Sequence, residues 1–259
     1  MLIEPKREIM VGPLLRTACL RCWAARDHLI RLGTVPLIAM LAAMLPLQNA
    51  MLSALSFAEA NGGQQDADLT FRMLLLLLCY AAAGCLFAVN WVRQLTLGAD
   101  SVPGLGLTLS SRHFRFFFLI LAILFVTAIV LVVVALILNA IGIAGVLAAA
   151  MMGFLLGTTL IARLSPSWIG IAINAPMPLA TAWRRTAGQG FRLVVALLAI
   201  KVPVMLVQQM VDRLFALTGL GTAAPMTLLL LLLCIEIIGL ALQLALLVAA
   251  FPQFLRETV

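Results

Sequence analysis

The chain has 259 residues, 64% of them hydrophobic and 10% charged, with a formal net charge of +7. Water-soluble domains carry about 25% charged residues, so the composition excludes an ordinary soluble fold. Six apolar runs take up most of the length and leave these residues no room for a soluble catalytic domain.

The runs lie at about 35–57, 73–95, 116–138, 142–164, 193–215 and 226–251. Each meets the roughly 20 residues needed to cross a hydrocarbon core about 30 Å thick. The expected fold is therefore all-α and polytopic. A cytoplasmic leader, residues 1–34, precedes a single six-helix transmembrane domain, residues 35–259. The leader is too long for the n-region of a secretory signal, so an ordinary signal peptide is not expected.

Within the leader, Arg16, Thr17, Arg21, Asp27, His28 and Arg31 share one arc of a helical wheel. Leu14, Leu15, Ala18, Cys22, Ala25, Leu29 and Ile30 occupy the opposite arc, and Leu20 and Arg26 break the pattern. This predicts an amphipathic helix over about 9–31, lying in the headgroup plane with its arginines toward anionic lipid. Cys19 and Cys22 have C-x-x-C spacing, but no second Cys/His pair completes a zinc site. With Cys79, Cys85 and Cys234 in apolar runs, the five cysteines do not form a disulfide framework.

The first connection is poor in basic residues; the second carries Arg112 and Arg115, with Arg93 just before it. The fourth carries Arg184, Arg185 and Arg192, with Arg163 at its edge. Over the whole chain, fourteen Lys and Arg fall on the side of the termini and two on the other, with Lys201 inside a span. That alternation predicts both termini in the cytoplasm. Arg16, Arg21, Arg31, Arg112, Arg115, Arg184, Arg185 and Arg192 are the candidate contacts to anionic lipid, with topology setting as the plainer role. His28 and His113 read as solvated loop residues.

The second and third cytoplasmic leaders both end in Phe-Arg before an apolar run, at Phe114-Arg115 and Phe191-Arg192. Three hairpins of like orientation suggest a parallel repeat about an axis along the membrane normal. The segment 178–189 forms a second candidate surface helix, with Trp183 at the interface and Gly188 and Gly190 ending it. In span four, Gly145, Ala149, Gly153 and Gly157 recur at every fourth position. Such a stripe lets another helix backbone approach closely, either span three or a second copy.

Glu236 is the sharpest residue. A carboxylate inside a span costs at least about 2.5–3.5 kcal/mol on insertion scales, so it should face protein with a partner. At about 1.5 Å per residue, Gln208, Gln209, Gln48 and Asn49 lie level with it, about 20–24 Å from the cytoplasmic span ends. These five residues define a candidate polar layer shared by spans one, five and six. It reads either as a proton or substrate site or as a hydrogen-bonded clamp between helices. Lys201 lies about 9 Å nearer the cytoplasm and is expected to snorkel to the headgroups.

No catalytic motif stands out. Ser110, Ser111, Ser165 and Ser167 lack a base for a triad, and Gly104-Leu-Gly106 lacks the strand and spacing of a phosphate loop. No cofactor, metal or nucleic-acid partner is expected.

Three segments carry a resemblance: Trp91–Gly98, Arg163–Asn174, and Ala182–Gly188 leading into Phe191-Arg-Leu. They resemble the YciC-like and glycerophosphodiesterase-membrane-domain-like groups of bacterial inner-membrane proteins. There, a returning helix ends in Arg-Leu-Ser, and a Trp-x-x-Thr-x-Gly segment precedes the next span. The resemblance covers the four spans around these loops. It implies a multi-pass bacterial inner-membrane protein and no particular activity. The expected role is a non-enzymatic scaffold or envelope factor engaging anionic lipid or partner helices, self-association included. The alternative is a small transporter or lipid-handling protein with a polar site around Glu236.

Overall fold

The computed structural model describes residues 9–60, 67–102, 104–107, 109–140, 145–219 and 224–255. It describes their side chains except at 51–60, 67, 145–147 and 149–150. The helices are α1 (Val11–Ala24), α2 (Arg26–Ala60), α3 (Ala67–Leu97), α4 (Ser111–Ala140), α5 (Gly145–Ala172), α6 (Leu179–Arg185), α7 (Gly190–Leu217) and α8 (Pro225–Leu255). A short 3-10 turn, Ala99–Ser101, follows α3. Six of these helices, α2–α5, α7 and α8, are long and apolar enough to cross a membrane. The protein is thus a multi-pass helical membrane protein. Helices are the natural form because lipid offers no partner for backbone groups, and each helix satisfies its own.

The spanning helices outrun the apolar segments that announced them. α2 starts at Arg26, so residues 26–34 belong to the first spanning helix rather than to the leader. The leader helix ends at Ala25, whose φ of −100° and ψ of 15° break the helix, with its N–H still bonded to the Arg21 carbonyl. Prolines 36, 46, 166, 203 and 252 all sit inside helices. Neighbouring helices and local adjustments compensate for the lost hydrogen bonds in membrane bundles.

α1 does not lay its apolar arc into lipid. Leu14, Ala18 and Cys22, at i, i+4 and i+8, are buried in the hydrophobic core, where α1 packs mainly on α8 and also on α7. Ala18 is therefore a protein contact and not an acyl-chain contact. Arg16 and Arg21 are exposed on the other side, as are Leu20 and Trp23. Burial, with Cys19 nearby, pushes the Cys22 thiol up to about 11, which removes it from thiolate chemistry at neutral pH.

The hairpins α2/α3, α4/α5 and α7/α8 each pack as antiparallel pairs but are not equivalent. α8 touches α1, α2, α3, α5 and α7 and is 50% buried over its most apolar window, whereas that of α4 is 11% buried. A threefold arrangement would give three helices of equal rank; one central helix with others around it replaces it. Gly153 faces Leu131 and Gly157 faces Thr127, so this part of the small-residue stripe seats α4 on α5. The surroundings of Gly145 and Ala149 lie outside the described residues.

Packing is graded along the bundle axis. Call the end carrying α1, α6 and the strap around Gly106 the basic end. There the core is aromatic: Trp91, Trp168, Phe87 and Phe254 are fully buried. Phe87 stacks on Trp91 at 6.0 Å, and Phe116 meets Trp168 edge-on at 5.8 Å. On α3 the inward stripe runs Leu69, Met73, Leu76, Tyr80, Ala83, Phe87, Trp91 and Gln94. Its last four residues are buried and its first four only half-buried. The inward stripe of α7 behaves alike. Leu193, Leu197 and Ile200 are buried, whereas Lys201, Val204, Gln208, Val211 and Phe215 are half-buried. The inward residues are thus buried at the basic end and half-buried toward the far end.

Candidate functional site

The site lies where the buried inward residues give way to half-buried ones. α7 and α8 cross closely at Gly239; a Cβ there would lie 2.8 Å from a methyl of Val204. One turn farther from the basic end on each helix, Gln208 Nε2 donates to Glu236 Oε2 at 2.9 Å. A glycine is required at the crossing because the bond needs the two backbones this near.

Glu236 is exposed, yet it lies away from the face of α8 that carries the exposed leucine and isoleucine side chains. It lies about 140–160° around α8 from Leu231 and Ile238, which form the outer face. It falls instead between the Gly239 face, turned to α7, and the buried Leu229 and Leu233. Tyr80 of α3 and Lys201 of α7 are both within electrostatic range of this carboxylate. The contact made by this carboxylate is the hydrogen bond from the Gln208 amide.

Lys201 does not snorkel. Its Nζ lies 4.6 Å from the centre of the Phe154 ring on α5, a cation–π contact directed across the bundle. Of the expected polar layer, Gln208 and Glu236 are brought together. Gln209, one position farther around α7, is exposed, and Gln48 and Asn49 are exposed on α2. Depth in the membrane selected the right level but not the right face. The residues missed are Tyr80 and Phe154; Tyr80 is the only tyrosine in the chain, a weak signal.

The basic end is sealed by a second polar network. His113 was expected to be solvated but is buried. The Ser110 N–H donates to His113 Nδ1 at 3.2 Å, a reciprocal cap at the start of α4. That leaves the Nε2 proton for Asn90 Oδ1, 3.4 Å away, while Asn90 Nδ2 donates to the Gly106 carbonyl at 2.7 Å. Gly106 has a φ of +72°, and a Cβ there would meet Asn90 Nδ2 at 2.9 Å and Leu32 at 3.0 Å. Gly106 of the strap is thereby held against α2 and α3.

The arginines divide by role. Arg93 donates to the carbonyls of Ala172, at the end of α5, and of Ser101. Arg185 donates to the Phe254 carbonyl near the end of α8, at 3.0 Å. Arg163 donates to the Trp183 carbonyl, with its guanidinium 3.5 Å from the centre of the Trp183 ring. These cations satisfy carbonyls at helix ends, where the helix dipole favours positive charge. Arg112 donates to Ser110 Oγ at 2.6 Å, and Arg192 is half-buried. Arg31 is half-buried, and its Nε and Nη2 are buried without a hydrogen-bond partner among the described residues. Arg16, Arg21, Arg115 and Arg184 remain exposed.

Among the described residues, no group of three or more His, Cys, Asp or Glu side chains is placed to hold a metal ion. Searches against family models, curated proteins and solved structures find no match to this chain.

Proposed function

We propose that this chain is a small, non-enzymatic transporter or lipid-handling protein of a bacterial inner membrane. Its ligand enters from the far end and meets the polar step at Glu236. The single observation that carries the reading is an exposed Glu236 on the inward side of α8, hydrogen-bonded to Gln208. A scaffold whose polar residues serve only as clamps has no need to keep a carboxylate accessible, because exposure in hydrocarbon costs several kcal/mol. The exposed arginines of the basic end, with Trp23 and Trp183, support a collar that holds anionic lipid. In the scaffold reading, a partner helix or a second copy fills the opening instead.

The two readings separate on water access. In a chain whose five cysteines are replaced, Glu236→Cys is expected to react with a charged, membrane-impermeant thiol reagent added from the far side. Labelling only by a lipid-phase probe, or not at all, would remove the open-site reading and leave the scaffold.

The proposed placement has both termini in the cytoplasm, supported by the fourteen-to-two distribution of Lys and Arg. Cysteines introduced at 66 and 256 should label from the periplasm and the cytoplasm respectively. The reverse pattern inverts the topology. The likeness of the 91–98, 163–174 and 182–193 segments to YciC-like proteins accords with this placement and adds no activity.

A further inference from the structure

We infer that the site at Glu236 takes a zwitterionic amphiphile carrying a primary ammonium and a phosphate, the chemistry of a phosphatidylethanolamine headgroup. The inference rests on the open site proposed above and names its ligand. Three observations converge on it.

The first is the pair of opposite charges. From the crossing of Val204 and Gly239, Lys201 lies three residues toward the basic end and Glu236 three residues away from it. At about 1.5 Å per residue, the two are offset by roughly 9 Å along the axis. Lys201 lies about 20° around α7 from Gln208, the hydrogen-bond partner of Glu236, and no ion pair joins Lys201 to Glu236 among the described residues. Two charge-assisted hydrogen bonds of about 2.8 Å each would leave a few ångströms for a ligand with a cation at one end and an anion at the other. Glu236 takes the ammonium and Lys201 the phosphate, while Gln208 holds the carboxylate in place.

The second is the wall above the step. Toward the far end the inward residues are Leu69, Met73 and Leu76 of α3 and Val211 and Phe215 of α7, all half-buried. A hydrophilic solute gains nothing from such a wall. Acyl chains would cover it, at about 0.8 kcal/mol for each methylene buried.

The third is selectivity by sign. A purely anionic lipid satisfies Lys201 but brings negative charge toward Glu236, and a purely cationic amphiphile does the reverse. Only a ligand bearing both charges satisfies both groups without an unpaired charge.

The test uses the full chain in nanodiscs of equimolar phosphatidylethanolamine and phosphatidylglycerol, with retained lipids counted by native mass spectrometry. The wild-type chain should retain phosphatidylethanolamine at least about tenfold over phosphatidylglycerol, the ratio expected from one hydrogen bond to a charged group. Glu236→Gln keeps an amide partner for Gln208 and should fold with an unchanged thermal midpoint, yet lose that preference. Glu236→Asp should restore part of it. Lys201→Gln should weaken retention of both lipids without favouring phosphatidylglycerol. Free O-phosphoethanolamine added in millimolar excess identifies the source. Displacement of the lipid means that the soluble headgroup suffices; no displacement means that the chains are required. Absence of a preference in the wild-type chain, or a preference that survives Glu236→Gln, overturns the inference. If Glu236→Cys labels from water while no preference is found, the open site stands and this ligand falls. If it does not label, both fall.

Discussion

Gly106→Val is expected to destabilise the bundle by about 3 kcal/mol or more, since three separate penalties meet at one position. The backbone φ of +72° lies in the left-handed region, where a β-branched residue is strained by about 1–3 kcal/mol. A Cβ would stand 2.9 Å from Asn90 Nδ2 and 3.0 Å from Leu32, and such overpacking costs about 1–3 kcal/mol. Lifting the strap also takes away the carbonyl that accepts from Asn90, whose amide is buried. Leaving that donor unsatisfied costs about 1–3 kcal/mol more. The terms share atoms and do not add in full. Tryptophan fluorescence during thermal unfolding in detergent measures the loss. Gly104, which also has positive φ but open space around its Cβ position, provides the control. Gly104→Ala should be much milder, and equal effects at the two glycines would refute the close-approach account.

Trp91→Ala is the other large expected loss, about 3–5 kcal/mol, the range for deleting a buried aromatic side chain. The indole is fully buried, stacks on Phe87, and donates from Nε1 to the Ala241 carbonyl of α8 at 3.0 Å. That bond ties α3 to the central helix just below the site, because Ala241 follows Glu236 by little more than one turn. Trp91→Phe keeps most of the volume and loses the donor, so a smaller loss is expected, on the order of 1 kcal/mol. Beyond stability, Trp91→Ala should breach the seal. A cysteine at 236 would then react with an impermeant reagent from the basic side as well as from the far side. Retention of one-sided labelling would show that the seal does not depend on this ring.

The site was legible in part. Glu236 announced itself because a carboxylate in hydrocarbon demands a reason, and depth arithmetic brought Gln208 to its level. Depth carries no azimuth, however. Gln209, Gln48 and Asn49 satisfied the same arithmetic and lie exposed outside the pair. Lys201 was expected to snorkel because its stem can reach the headgroups. The ring of Phe154, 47 positions earlier in the chain, gives the ammonium a nearer partner within the bundle. His113 looked solvated because it read as a solitary loop residue. Asn90 lies 23 residues away, and no local pattern announces the pocket it shares with His113.

The sequence by itself determined the class of the protein, the number of spans and the alternation of their ends. In lipid each span must satisfy its own backbone, so apolar length alone reveals it, and basic residues mark one side. Only the tertiary structure decided which helix is most buried, at which end the inward residues are buried, and which arginines hold helix ends rather than stay exposed. The physical reason is that hydrocarbon is as apolar as a helix–helix interface. A helix such as α4 is apolar on every face, so hydropathy contains no record of which side meets a neighbour and which meets lipid.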